Sequence, residues 1–471
     1  MSLDRRVDPR DAPGEGTERM SVGNAEADYI LGGGFPANSI NIIMGHPGSG
    51  KTIFAEQLIF HNAGDDRPIL YFTTLSEPLA KVVRYLQGFR FFDEDKLGTQ
   101  VVYEDVGPQL AEEGAGALVP LLRQAIKTLS PKVIVIDSFK AVHDLAPEPA
   151  ERRRMVYEMT ALLTAYGTTA FLLGEYTEDD ILRYPEFAVA DGIVELSRRR
   201  LGNRDERYFR VYKLRGSRYL EGAHAFRISD SGLVIYPRLV SPRMPEGYEP
   251  ASERISTGVA GLDEMLDGGL WRGTTTLLAG PSGAGKTTIG LQFALEGARR
   301  GEPSLYMNFQ ENPTQLMRTI RGLGGDLEEA QAQGLDLVYA SPVELQIDSI
   351  IVDMFRRIQQ GGVRRLVIDA LGDLASAATD PQRLHDYLYA LVQHFAVSTI
   401  TSVLNFETSG NSIAGNGMQN AMSYLSDNVL LLTVEGEERT RRTLRVLKTR
   451  GSAHDTKVRE VQISAAGLRV L

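Results

Sequence analysis

The feature that most limits how this chain folds is that it is written twice. The stretch SVGNAEADYILGGGF from Ser21 parallels STGVAGLDEMLDGGL from Ser256. GHPGSGKT from Gly45 parallels GPSGAGKT from Gly280, and KLRGS from Lys213 parallels KTRGS from Lys448. Members of each pair are 235 residues apart, far beyond the roughly 20–50-residue periods of solenoids, so one whole domain is duplicated head to tail. A chain of 471 residues has room for two domains of that length. The segment 236–254, YPRLVSPRMPEGYEPASER, carries four prolines and reads as a semi-rigid linker. The expected division is a disordered tail over 1–17, a first domain over 18–240, a linker over 241–250 and a second domain over 251–471.

Short β-branched runs alternate with helical periodicity in each copy. NSINIIMG leads into the first glycine loop, and TIFAEQLIFHNAG leaves it as a helix with Phe54, Leu58 and Ile59 on one face. PILYFTT, KVIVIDS and TAFLLGE read as further buried strands, repeated as SLYMNFQ, RLVIDA and TITSVLN. Apolar strands separated by helices imply α/β domains, each a mainly parallel sheet covered on both faces. Hydrophobic content of 42% and charged content of 24% are those of a soluble globular protein. The absence of cysteine excludes disulfides, thiolate metal sites and a cysteine nucleophile. The charged N-terminal residues contain no apolar signal segment, and runs such as VIVID and NVLLLTV are strand length, short of the roughly 20 residues that span a bilayer. A cytoplasmic protein without membrane contact is expected. The net charge of −10 argues against coating nucleic acid. The arginine-rich stretches 198–204 and 439–442 read as solvated loops.

Gly45-His46-Pro47-Gly48-Ser49-Gly50-Lys51-Thr52 matches G-x-x-x-x-G-K-[ST] in full. So does the second loop, Gly280 to Thr287, which includes Gly283, Ala284, Gly285 and Lys286 and is followed by Thr288. In such a loop the backbone N–H groups turn inward around the phosphates of ATP. The lysine reaches the β- and γ-phosphates, the threonine hydroxyl helps hold Mg²⁺, and the next helix points its positive N-terminus at the anion. Each copy then ends a hydrophobic strand in an aspartate, Asp137 after VIVI and Asp369 after LVI, the expected second Mg²⁺ ligand.

The residues after those aspartates are Ser138 and Ala370, not the glutamate that AAA+ enzymes place there. A carboxylate appears on the preceding strand instead. Glu77 and Glu311 stand 26 and 25 positions after the P-loop lysines, where an acid can orient and deprotonate the attacking water. This arrangement resembles RecA-like ATPases, and both copies resemble KaiC-like proteins within that group. The resemblance rests on a G-x-x-x-L-D-x-x-x-x-G-G lead-in (Gly258 to Gly269, with Ala27 in place of the leucine in copy one), the loop acid, and a late K-x-R-G-[ST] segment. It implies that Lys213 and Arg215, and Lys448, Arg450, Ser452 and His454, lie on hairpins reaching the ATP of the neighbouring subunit in a hexameric ring. It implies a regulatory or signalling ATPase with an unidentified partner protein. Copy one has Tyr219 where His454 stands in copy two, and the family's first loop glutamate is replaced by Ser76 and Gln310.

Two other readings are open. A KaiC-type autokinase would use Ser423, the one hydroxyl retained in SYLSD before Asp427; with Gln310 unable to take a proton, hydrolysis is expected to dominate. A RecA-like recombinase would need a DNA-binding module, and the loop 409–417 is neither basic nor aromatic.

Overall fold

The computed structural model describes residues 18–74, 79–146, 148–201, 204–341, 346–378, 381–408, 425–436 and 440–471, excepting the side chains of Leu79, Leu201 and Pro381. Glu77, Ser423 and the loop 409–417 lie outside these residues. The chain divides into two compact units, with the division between Arg238 and Leu239.

The first unit is built on nine strands: β1 (Ile40–Met44), β2 (Ile69–Thr73), β3 (Val101–Asp105), β4 (Val133–Asp137), β5 (Thr169–Gly174), β6 (Gly192–Leu201), β7 (Arg204–Leu214), β8 (Ala223–Ser229) and β9 (Gly232–Tyr236). They form one sheet in the order β3-β2-β4-β5-β1-β6-β7-β8-β9. Pairing is parallel from β3 to β6 and antiparallel from β6 to β9. The second unit repeats this with β10 (Thr275–Gly280), β11 (Ser304–Asn308), β12 (Leu335–Tyr339), β13 (Arg365–Asp369), β14 (Thr401–Glu407), β15 (Asn428–Glu435), β16 (Arg441–Thr449), β17 (Arg459–Ser464) and β18 (Gly467–Val470). Their order, β12-β11-β13-β14-β10-β15-β16-β17-β18, is the same path.

The central strands β1 and β10 are buried along their whole length, Asn41, Thr275 and Thr276 included, because helices cover both faces. Ile42 and Met44 of β1 enter one core with Leu118 and Val156, while Ile43 enters the other with Phe54 and Leu58. In the second unit Leu277 and Leu278 divide between two cores in the same way. Helix α1 (Lys51–Asn62) follows the first glycine loop and α2 (Lys286–Arg299) the second. The expected apolar face of α1 is buried, but so are Glu56, Gln57 and Phe60. Glu56 is covered by Tyr103 of β3 and Phe60 by the rings of Phe91 and Phe92. The β8–β9 hairpin closes over Gln57, whose Oε1 accepts from the Leu233 N–H at 3.0 Å. Gln292 does the same for Leu468 at 2.8 Å. No helix among the described residues is long and apolar enough to cross a membrane.

The register defines two edges. At one, the C-terminal ends of the parallel strands come level, with Met44 opposite Gly174 and Glu195, and Thr73 opposite Asp137. At the other, Asn41 pairs with Gly192 and Gly192 with Leu214. Thr276, Asn428 and Thr449 form the matching row in the second unit.

Candidate functional site

Both glycine loops leave the C-terminal edge and turn directly into a helix. Gly50 and Gly285 cap α1 and α2 in the left-handed region, at φ 107° and 109°, which a side chain would strain. A Cβ on Gly45 would lie 2.0 Å from the Leu196 carbonyl oxygen, so only glycine lets the loop pass under β6. Lys51 Nζ donates to the carbonyls of Gly45 (3.0 Å) and His46 (3.1 Å). Lys286 Nζ donates to Gly280 and Pro281, both at 2.8 Å. Each ammonium is thereby held inside its loop. Burial lowers both lysine pKa values, opposed by Glu175 and Asp137 in the first unit and by Glu407 and Asp369 in the second. Ser49 Oγ is buried in the loop without a hydrogen-bond partner, a polar atom that a phosphate oxygen would satisfy.

The strand-end aspartates stand beside these loops. Asp137 Oδ2 accepts from Thr52 Oγ1 at 3.1 Å and from the Tyr71 hydroxyl at 2.8 Å. Asp369 Oδ2 accepts from Tyr306 at 2.6 Å. Burial and the neighbouring carboxylates keep both phenols protonated, so they remain donors that fix the aspartates. Thr287 is half-buried in the first turn of α2, beside Lys286. Among the described residues no group of three or more His, Asp or Glu forms a ready-made metal cage. A hydroxyl next to one carboxylate nevertheless fits Mg²⁺, which keeps waters and substrate phosphates as its other ligands.

Glu311 lies three residues past β11. The N–H groups of Gln310 and Glu311 donate to Asn308 Oδ1 at 3.1 and 3.3 Å, which folds the segment back over the strand end. Its Oε2 is buried without a partner, and burial together with Asp369 raises its pKa. Such a carboxylate is a better proton acceptor than an exposed one. Gln310 Nε2 donates to Asp373 at 2.8 Å.

The K-x-R-G-S segments sit elsewhere. Lys213 Nζ reaches the Phe187 carbonyl at 3.5 Å, and Arg215 pairs with Asp191 at 3.4 Å. Lys448 Nζ donates to the Ser426 carbonyl at 2.7 Å, and Arg450 lies 3.8 Å from Asp427. All are at the N-terminal edge of the sheet, the far side from the loop of the same domain. Both arginines are more than half exposed there.

Several residues at these sites escape a reading of motifs. Tyr71 and Tyr306 are one; they are 235 residues apart, and comparing the copies position by position finds them. Glu407 is another. The parallel register sets it beside Gly280, whose carbonyl holds Lys286, and Glu175 follows β5 at the level of Gly45. Arg442 is a third: its Nε donates to the Gly283 carbonyl at 3.0 Å, from a strand that the sequence assigns only to a solvated loop.

A glycine loop between the central strand and its helix, with a strand-end aspartate two strands away, recurs in both units and defines two tandem RecA-like P-loop nucleoside triphosphatase domains; in the second, Glu311 follows the neighbouring strand. The family described as "ATPase: KaiC" matches residues 21–240 and 255–471. The chain therefore belongs to the KaiC ATPase family and is an ATPase. Similar proteins include the circadian clock oscillator protein KaiC of Rippkaea orientalis, 29% identical over 453 residues, covering 93% of this chain and 86% of the relative. The circadian clock protein KaiC3 of a Synechocystis strain is 28% identical over 473 residues, covering 97% and 92%. The KaiC of Synechococcus elongatus is 28% identical over 454 residues, covering 93% and 86%.

Proposed function

We propose that both domains bind and hydrolyse Mg-ATP, and that each site is completed by a neighbouring copy of the chain in a ring, most simply a hexamer. The observation that carries this is the placement of the basic pairs. Leu214 is level with Asn41, whereas the glycine loop begins at Gly45. Four residues of strand separate them, about 13 Å along the sheet, before the loop itself is counted. A domain's own Lys213 and Arg215 thus face away from its own phosphates and are free to serve another's.

Within a site, the backbone of the loop and Lys51 or Lys286 would cradle the phosphates, with Ser49 or Ala284 inside the turn. Mg²⁺, held by Thr52 and Asp137 or by Thr287 and Asp369, would neutralise charge on the phosphate oxygens. Glu311 would take a proton from the attacking water while the bond between the γ-phosphorus and the bridging oxygen breaks and ADP leaves with the electron pair. Glu77 is assigned the same role in the first domain by its sequence position. Lys448 and Arg450 of the neighbouring copy, flanked by Ser452 and His454, would neutralise charge that develops only in the transition state.

Hydrolysis is favoured over phosphoryl transfer to Ser423 because Gln310, at the position of the family's first loop glutamate, has no basic oxygen and is tied to Asp373. The role inferred is a regulatory one, with nucleotide state signalled to a protein partner and not to nucleic acid. In chains whose first site is disabled by Lys51→Ala, Arg450→Ala should leave ATP affinity within about twofold yet slow turnover by about 10³-fold, as loss of an arginine finger does. A monomer in ATP-containing buffer at micromolar concentration would refute the ring.

A further inference from the structure

The basic pairs act usefully only if something holds them at a fixed place on the edge of their own domain. Asp191 and Asp427 moor one end of each segment: they accept from the N–H of Ile40 (3.1 Å) and of Thr275 (2.9 Å), and their own carbonyls accept from the N–H of Arg215 (2.8 Å) and of Arg450 (3.0 Å). The serine end is held by a different residue, and the same one in both units. Arg19 Nη1 donates to the Gly34 carbonyl (3.1 Å) and to Ser217 Oγ (2.9 Å), and its Nη2 donates to the Gly216 carbonyl (3.2 Å). Arg254 Nη1 donates to the carbonyls of Leu266 and Gly269, both at 2.7 Å; its Nη2 donates to Asp267 Oδ2 (3.2 Å) and to Ser452 Oγ. Gly34 and Gly269, Ser217 and Ser452, and Arg19 and Arg254 are all 235 residues apart, so the arginine's bonds to the glycine carbonyl and the serine hydroxyl are common to both units. In the second unit the guanidinium also lies over the Trp271 ring, 4.1 Å from its centroid, with its side chain only 18% exposed.

These contacts join two stretches nearly 200 residues apart in sequence. The lead-in turn is itself rigid: Ser21 Oγ and the Val22 N–H bond Asp28 at 2.6 and 2.8 Å, and Ser256 and Thr257 bond Asp263 at the same distances. A guanidinium suits the junction because its planar fork can bond a carbonyl on one element and a hydroxyl on another at once, which an ammonium on a flexible stem does poorly.

We infer that Arg19 and Arg254 are positioning residues for ATP hydrolysis: each clamps the serine end of a K-x-R-G-S segment to the lead-in turn, so that Lys213 and Arg215, or Lys448 and Arg450, are presented in a fixed geometry to the triphosphate of a neighbouring copy. The inference rests on the trans-site reading above. Its effect belongs on turnover, because misplacing a transition-state group by about 1 Å costs on the order of 10²-fold while leaving the bound ground state alone.

The test uses the full chain carrying Lys51→Ala, so that only the second site is read. Arg254→Ala should cut kcat by about ten- to a hundredfold with ATP affinity within about twofold. Arg254→Lys should recover little. The double variant Arg254→Ala/Arg450→Ala should be slowed by clearly less than the product of the two single effects, since the clamp works only through the segment it holds, of which Lys448 alone then remains. Ser452→Ala, which removes one bond from the opposite side, should slow turnover in the same direction by a smaller factor, and it decides the matter if Arg254→Ala does not fold. Losses of ATP affinity and turnover in equal measure, additive losses in the double variant, or full turnover in Ser452→Ala alongside a non-folding Arg254→Ala would overturn the inference. An Arg450→Ala chain with normal turnover would instead overturn the trans-site reading beneath it, so the two failures are told apart.

Discussion

The two domains share a chain path and a phosphate loop but differ one layer below. In the first, Tyr103 of β3 donates to Glu56 of α1 at 2.6 Å, and the Tyr103 ring lies 5.0 Å from Tyr71, which holds Asp137. Glu56 is fully buried, with its other oxygen unpartnered. In the second, the residue five after the loop lysine is Leu291, and the residue paired with Tyr306 is Leu337. The duplicated parts are thus the ones assigned to phosphate, while the floor beneath them is polar and protonatable in one copy and apolar in the other. A second difference is nearer the surface. Lys140 Nζ donates to the Glu175 carbonyl at 2.6 Å, but the residue in its place, three after Asp369, is Gly372. One design of site therefore rests on two supports of different chemistry.

The largest effects should be common to both copies. Lys286→Ala and Lys51→Ala should each remove one bound nucleotide per chain, so that calorimetry falls from two sites to one; a wild-type chain with a single site would break the comparison outright. Next is Glu311→Gln, expected to slow the second site by about 10²–10⁴-fold, the span of a general base, with nucleotide still bound. Single-turnover kinetics in the Lys51→Ala chain reads it without interference from the first domain. An unchanged rate would remove Glu311 from the chemistry.

The smallest effect should separate the copies. Burial, opposed by the Tyr103 hydrogen bond and reinforced by Asp137, pushes the Glu56 pKa up from the ordinary 4.5 to about 8. A carboxyl raised on folding binds its proton more tightly in the folded state. Its contribution is therefore fully present below about pH 4.5 and is lost as pH rises through about 8. Glu56→Gln keeps the acceptor for Tyr103 and removes the titration. The first domain of that variant should be more stable than wild type above pH 8 by on the order of 2–4 kcal/mol, and similar to it near pH 5. Hydrogen exchange resolved by domain would measure this, with the second domain unmoved. The same shift at both pH values would show that Glu56 does not titrate on folding.

How much of this was legible in the sequence follows from how far apart the cooperating residues are. The loops, Asp137 and Asp369 were readable because strand, turn and helix each leave a local pattern, and because the copies vouch for each other. The parallel α/β fold was readable from unbroken apolar runs such as VIVID. Glu407, Arg254 and Glu56 were not. Glu407 comes beside Gly280 only through the register of β14 on β10. Arg254 meets Ser452 across 198 residues. Glu56 sits in a helical sequence whose polar side looks exposed until Tyr103 of β3, 47 residues away, packs against it. Each depends on pairing between distant segments, which no local period records.

The central claim, that the chain completes ATP sites in trans, is tested most directly by mixing chains. In the Lys51→Ala background, Arg450→Ala chains and Glu311→Gln chains should each be nearly inactive alone. Random co-assembly at equal concentrations gives about one interface in four that carries both intact groups, if the assembly is a closed ring of like interfaces. Mixing should therefore restore ATP turnover to about a quarter of the parent rate. A mixture no faster than its two components, under conditions where subunits are shown to exchange, would contradict the account.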